Sequence, residues 1–203
     1  MITWTIGAGG LLGSAINRQA LDSFEARPIP WSDQQASIDT LVNELARFTS
    51  ETSEGPWAII WAAGAATVST SVEQTEIELE VFQAFVTRLA ETAPSGPGAF
   101  FLASSAGGVY AGSLNPPFTT DSEAASLSAY GDLKLKQEEA AREALAHVCS
   151  VIIGRYSNIY GPGQNLGKLQ GLISRLALST ATRQPANIFV SLDTMRDYIY
   201  VDD

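Results

Sequence analysis

Short apolar runs alternate along the chain with longer stretches in which apolar residues recur every three to four positions. The runs Ile2–Ile6, Ala26–Trp31, Trp57–Ala62, Ala99–Ser104 and Cys149–Arg155 are rich in β-branched and aromatic residues and read as strands. Between them, Leu11–Leu21, Ser37–Thr49, Val72–Glu91 and Ala129–Ala146 carry the helical period. In the third of these, Val72, Leu79, Phe82, Val86 and Leu89 form an apolar stripe, with Glu73, Glu76 and Glu80 on a solvated face. Alternating strands and helices predict an α/β fold, a doubly wound parallel sheet covered by helices on both faces. Pro94-Ser95-Gly96-Pro97-Gly98 reads as a helix-to-strand turn. From Gly161 the pattern changes to a Gly/Pro turn, a helix around Leu169–Ser179 and short strands around Ile188–Val190 and Asp197–Val201.

Size and charge narrow the picture. With 203 residues, 45% of them hydrophobic, the chain can bury one domain, or one domain and part of another, but not two complete ones. A formal net charge of -10 argues against a nucleic-acid partner, which needs a basic stripe. The single cysteine, Cys149, cannot form an intrachain disulfide, and no Cys/His spacing indicates a metal. The N-terminus lacks the basic start and apolar core of a signal peptide, and no apolar run approaches the roughly 20 residues of a membrane span. These features predict a cytoplasmic protein with no membrane partner.

Gly7-Ala8-Gly9-Gly10-Leu11-Leu12-Gly13 follows the first strand and opens the first helix. The first glycine of such a turn permits its tight path, the second lets backbone approach a pyrophosphate, and the third lets helix pack close to strand. Free N–H groups and the helix dipole then favour an anion. Gly7, Gly10, Leu11, Leu12 and Gly13 are therefore candidate cofactor contacts in a Rossmann-type fold, with residues 1–160 as the dinucleotide-binding domain. An acid at the end of the second strand would bind the adenosine ribose and select NAD, and the only one nearby is Asp33. Asp33 equally reads as a cap of the following helix. No arginine stands in the glycine turn or directly after that strand to hold a 2′-phosphate, so NAD is favoured and NADP stays open.

Tyr130-Gly131-Asp132-Leu133-Lys134 places a phenol and an ammonium four residues apart on one helical face. The strand before that helix ends in Ala103-Ser104-Ser105-Ala106-Gly107-Gly108-Val109-Tyr110, bringing hydroxyls to the carboxyl edge of the sheet, where open α/β folds bind ligands. Together with the glycine turn, Trp61-Ala62-Ala63-Gly64, Arg155-Tyr156-Ser157-Asn158-Ile159-Tyr160-Gly161-Pro162-Gly163-Gln164 and Arg196-Asp197-Tyr198-Ile199-Tyr200-Val201-Asp202-Asp203, these segments run in a distinctive order. In that order the chain resembles the extended short-chain dehydrogenase/reductases, the NAD-dependent epimerase/dehydratase family.

The resemblance implies Tyr130 as general acid/base, Lys134 as its electrostatic partner and holder of the nicotinamide ribose, and a serine hydroxyl orienting the substrate oxygen. It adds Ala62, Ala63 and Gly64 to the cofactor contacts, and Asn158 and Arg196 as contacts to the diphosphate of a nucleotide sugar. Arg196 could instead pair with Asp197, Asp202 or Asp203. The family hydroxyl most often falls three residues before the valine, which here is Ala106. Ser105 takes the role, with Ser104 as the alternate. A tyrosine base near neutrality needs its pKa lowered by positive charge, here Lys134 and the oxidised nicotinamide. His147 and Cys149, at a helix–strand junction, read as structural.

Relatives that dehydrate carry an Asp-Glu pair before the Val-Tyr, those that epimerise next to a carbonyl use a cysteine and a histidine, and those that decarboxylate carry a glutamate at the Gly108 position. Gly107-Gly108 stands there instead. The resemblance thus implies hydride chemistry alone, best fitted by an NAD-dependent C4 epimerase of nucleotide sugars. The alternatives are an NAD(P)-dependent carbonyl or nucleotide-sugar reductase and a non-catalytic dinucleotide-binding protein; a homodimer is left open. Relatives extend further, so residues 161–203 read as the start of an incomplete substrate-binding region, and Tyr130 is expected to be unusually exposed in a half-built cleft.

Overall fold

The computed structural model describes residues 1–167, 171–188, 191 and 193–203. Four parallel strands, β1 (Ile2–Ile6), β2 (Trp57–Trp61), β3 (Gly98–Ser105) and β4 (Ser150–Tyr156), form one sheet in the order β1-β2-β3-β4. The register aligns Trp4 with Ile59, Ile59 with Phe100 and Phe100 with Val151. The helices α1 (Leu11–Gln19), α2 (Gln34–Thr52), α3 (Val72–Thr92) and α5 (Ala129–Leu145) alternate with the strands, and one short turn of helix, α4 (Ala106–Val109), follows β3. A two-stranded parallel sheet joins β5 (Asn158–Tyr160) to β6 (Tyr198–Tyr200), with α6 (Leu172–Thr182) between them in sequence. This is the α/β, Rossmann-type arrangement that the alternation predicts.

The apolar stripes of α2, α3 and α5 and one face of the sheet form the core. Trp4, Trp57, Trp61, Phe48, Phe82, Phe85 and Phe100 are buried in it, and the Trp61 ring meets Phe82 edge-on at 5.0 Å and Phe85 tilted at 5.2 Å. Each such ring stabilises the fold by roughly 1.5–3 kcal/mol over an exposed one. Side-chain caps fix where the helices start. Ser71 accepts from the Gln74 N–H ahead of α3, and Ser128 from the Gly131 N–H ahead of α5. Helix α2 begins at Gln34, three residues before the position the pattern predicts, because the Asp33 carboxylate accepts from the Ala36 N–H.

The strand expected over Ala26–Trp31 does not form. Only the stretch just before it runs beside β1: the Thr3 N–H donates to the Asp22 carbonyl and the Phe24 N–H to the Thr3 carbonyl, both at 2.8 Å. Pro28 and Pro30 have no N–H to extend the ladder, so pairing stops short of them. The expected helix around Leu169–Ser179 is α6, which starts at Leu172; Leu169 lies outside the described residues, as do Phe189 and Val190 of the strand expected at Ile188–Val190. Helix α4 and strand β5 are too short for a periodic signal.

Chain direction reverses at β1. The path leaves β1 for Asp22–Phe24 on one side and returns to β2 on the other, so a crevice opens at the carboxyl ends of β1 and β2. Glu44 of α2 holds the proline-bearing wall of this crevice. Its carboxylate is fully buried, accepts from the Arg27 backbone N–H at 3.1 Å and from the Arg27 guanidinium, and also pairs with Arg47. Burial would raise its pKa, but the Arg27 hydrogen bonds and the charges of both arginines outweigh it and hold the carboxyl below its ordinary value.

A carboxyl with a depressed pKa contributes stability above its unfolded pKa and loses that contribution as pH falls through the folded one. Acidification from neutrality into that range should therefore lower the urea midpoint of the parent more than that of Glu44→Gln. At neutral pH, Glu44→Ala should cost about 1–3 kcal/mol, measured by the same denaturation.

Candidate active site

Backbone packed against backbone defines the crevice. Gly7 has φ +96, and a Cβ on it would lie 2.6 Å from the Ala63 nitrogen and 2.7 Å from the Ala62 carbonyl carbon. A Cβ on Gly13 would fall on the Gly7 carbonyl oxygen. These two glycines thus let the turn approach the end of β2 and α1 approach the turn. Gly10 precedes α1 with no side-chain cap, and the helical ladder begins with the Ser14 N–H donating to Gly10. The N–H groups of Leu11, Leu12 and Gly13 have no partner among the described residues, the condition for anion binding at a helix start. Beside them a cleft of about 310 Å³ is lined by Gly7, Ala8, Gly9, Asn17, Arg27 and Trp31, among others.

Asp33 does not line this cleft; its carboxylate is occupied as the cap of α2. Arg27 does line it, with its guanidinium bound by Glu44. The glycine turn and the stretch directly after the expected strand carry no arginine, as read above; Arg27 comes from within the expected strand itself. The segment bearing Arg27 turns along the cleft instead of continuing as a strand, and that path is invisible in the spacing of residues.

The two serines at the end of β3 part ways. Ser104 is buried and donates to Glu138 Oε1 at 2.6 Å. Ser105 accepts from the Gly108 N–H at 3.2 Å as the cap of α4, and its hydroxyl is near enough to the Tyr130 phenol to favour the ionised form. The Tyr130 ring packs on Gly108, where a Cβ would be 3.0 Å from it, and a Cβ on Gly131 would fall on the Gly108 carbonyl. That contact leaves Tyr130 half-buried, which corrects the expectation of an unusually exposed phenol. Lys134 is only 5% exposed; its Nζ donates to Gln137 Oε1 at 3.0 Å and lies 5.8 Å from the centre of the Tyr130 ring.

A buried network stands behind the pair. Glu138 of α5 accepts from Ser104 of β3 and from Arg155 of β4, whose Nε is 2.9 Å from Oε1 and whose Nη2 is 2.6 Å from Oε2. Arg155 also donates to the Tyr110 hydroxyl, which donates to the Thr119 carbonyl. Periodicity could have exposed Glu138, since it lies with Lys134, Ala141 and Leu145 on the buried stripe of α5.

The electrostatics run against a simple base. Desolvation pushes the Tyr130 phenol above its ordinary value; the nearby Ser105 hydroxyl opposes this and the charge of Glu78 adds to it. Lys134 goes down, because desolvation outweighs the attraction of Glu78 and Glu138. Of the two positive charges expected to lower the phenol's pKa, Lys134 and the oxidised nicotinamide, Lys134 is itself shifted down by burial while the phenol goes up.

Elsewhere, Asn158 Nδ2 donates to the Asp197 carbonyl at 2.9 Å, so β5 is tied to the segment bearing the exposed Arg196. Among the described residues Arg196 has no ion pair, and Asp202 pairs with Arg18 at 2.9 Å. His147 is exposed in a turn. Cys149 is half-buried, and desolvation pushes its thiol up to about 11 against a hydrogen bond at Phe100, which leaves it unreactive. Among the described residues no helix is long and apolar enough to cross a membrane, and no group of three His, Cys, Asp or Glu could hold a metal.

Residues 5–203 match the model of the NAD dependent epimerase/dehydratase family. The chain belongs to this family. Over 102 residues it is 34% identical to the dTDP-4-dehydro-6-deoxyglucose reductase of Escherichia coli, a stretch that is 50% of this chain and 32% of that enzyme. The chain thus matches about a third of the length of that curated relative. In structure it is similar to the Thermus thermophilus UDP-glucose 4-epimerase solved with NAD (TM-score 0.77, 18% identity, 100% of this chain and 71% of that one). It is also similar to the Thermotoga maritima UDP-glucose 4-epimerase solved with UDP-glucose (TM-score 0.76, 19% identity, 100% and 70%). At such identity these two likenesses establish the fold.

Within this family member, Gly13→Val should force α1 off the turn. We expect a loss of stability of about 2–4 kcal/mol, the range of overpacking against rigid backbone, together with loss of NAD binding. Thermal unfolding and calorimetric titration with NAD measure the two effects.

Proposed function

We propose that the chain binds NAD at the glycine turn and carries out reversible hydride transfer on a nucleotide sugar, as a C4 epimerase. One observation carries this reading: Ser105 at the end of β3 caps the turn against whose Gly108 the Tyr130 ring packs, on the carboxyl edge of the sheet, with Lys134 one helical turn on. The unpaired N–H groups of Leu11, Leu12 and Gly13 and the side-chain-free surface of Gly9 suit a pyrophosphate. When bound, NAD would accept and return the hydride and bring the positive charge of its oxidised ring. The residues do the rest. Tyr130 takes the carbinol proton and gives it back, Ser105 orients the same oxygen, and Lys134 holds the ribose and stabilises the phenolate. Ala62, Ala63 and Gly64 back the cofactor; Asp33, outside the cleft as the cap of α2, is not among its contacts.

Gly107 faces open space and Gly108 abuts the Tyr130 ring, so neither supplies the extra acid or base that elimination or decarboxylation needs. Hydride chemistry without elimination remains. Residues 161–203 begin the substrate-binding region; Asn158, just before it, and Arg196, within it, meet the diphosphate, and the protein is cytoplasmic. A second reading, an NADP-dependent reductase, is favoured by Arg27 in the cleft, where its guanidinium could meet a 2′-phosphate.

The test is turnover of UDP-glucose, followed by chromatographic separation of the epimers. Tyr130→Phe should keep its fold and NAD affinity while turnover falls by about 10²–10⁴, the usual contribution of a positioned acid/base. Ser105→Ala should also lose turnover. Ser104→Ala should instead lose stability, because Glu138 loses a buried donor. Parent-rate turnover by Tyr130→Phe, with epimer formed, would refute the assignment.

A further inference from the structure

A carboxylate outside the Tyr/Lys/Ser set stands at the centre of this site. Glu78 of α3 is on the core-facing stripe of its helix, with Thr75 three residues before it and Phe82 four after, both buried. One carboxylate oxygen, Oε2, accepts from the Ala65 N–H at 3.0 Å and from the Ala66 N–H at 3.1 Å. The other, Oε1, is buried with no hydrogen-bond partner among the described residues. The position that a Gly64 side chain would take is 3.1 Å from this Oε1 and 3.7 Å from Lys134 Nζ. An acceptor with free lone pairs and an ammonium with one hydrogen bond therefore flank the same point, and only the missing side chain of Gly64 lets them do so.

A buried carboxylate left without a partner is costly unless a charge or a donor nearby offsets it. The charged and titratable groups around Lys134 come from four elements: Glu78 from α3, Tyr130 and Glu138 from α5, Ser104 and Ser105 from β3, and Arg155 from β4. Glu138 is already held by Arg155 and Ser104, so its charge is largely answered. Among the described residues, the Oε1 of Glu78 has only Lys134 to answer it.

We infer that Glu78 is a positioning residue of this site, tying the Gly64–Ala66 segment to α3 through one oxygen and opposing the charge of Lys134 across Gly64 through the other. Glu78 therefore favours the charged form of Lys134, against its burial, and at the same time raises the Tyr130 phenol. Removing its charge lets the ammonium lose its proton at lower pH and lets the phenol ionise at lower pH. The importance of Lys134 to turnover rests on the function proposed above; the electrostatic coupling does not.

The coupling is read without ligand. The chain has three lysines, Lys134, Lys136 and Lys168, so NMR of ε-amino-labelled lysine, assigned with Lys136→Arg and Lys168→Arg, isolates Lys134. In Glu78→Gln the Lys134 titration should move to lower pH, while Glu78→Asp, which keeps the charge but withdraws it by one methylene, should titrate between the two. If Glu78→Gln fails to fold, the downward move in Glu78→Asp still decides. A Lys134 titration identical to the parent's in folded Glu78→Gln or Glu78→Asp would overturn the inference. With UDP-glucose, the pH profile of kcat/KM should move downward as well; a fall in rate with the profile unchanged means that Glu78 is only a structural tie. Absence of turnover in the parent would count against the proposed function and leave the lysine titration standing.

Discussion

The close approach of bare backbone at the carboxyl end of β1 and β2 is the constraint on which the site depends. Gly7, Ala62, Ala63 and Gly13 meet at distances that admit no added side chain. One residue further on, Gly64 brings the end of β2 within reach of both Glu78 and Lys134. The glycine turn and the Tyr130 helix, far apart in sequence, are thus linked through one short segment. A shift of that segment would move the anion-binding N–H groups and the ammonium together, which is why packing here matters for chemistry as well as for stability.

A second support comes from below. Glu138, Arg155, Ser104 and Tyr110 join α5, β4, β3 and the end of α4 through charge-assisted hydrogen bonds in a nearly dry interior. Such a network gains little net stability from its charges, since desolvation offsets their attraction. It does fix direction. Ser104 is drawn inward to Glu138, which leaves Ser105 to cap α4 and meet Tyr130. The Gly108 and Gly131 contacts then settle how deep the Tyr130 ring lies.

Charge inside the site is balanced rather than simply positive. Burial lowers Lys134 and raises Tyr130, and the acidic residues at their backs act on both. A phenol so placed holds its proton until positive charge arrives beside it. Under the hydride transfer proposed above, this would couple the readiness of the base to occupancy by an oxidised dinucleotide.

Periodicity and spacing alone determined much of this protein. The alternation of strand and helix, the glycine turn, and the Tyr130/Lys134 pair are local patterns, because each depends on neighbours within one turn or one strand. The ordered set of motifs sufficed for the family. Where the reading went wrong, a long-range or polar contact decided. Prolines ended the pairing of the segment before Trp31, and the Asp33 cap started α2 early. Arg27 reached the cleft because Glu44 holds it there. Glu78 and Glu138 carry a partial signal, a carboxylate within an apolar stripe, but their partners lie on other elements. Burial and the pKa values it shifts belong to the tertiary structure alone, since desolvation depends on what every other element packs against.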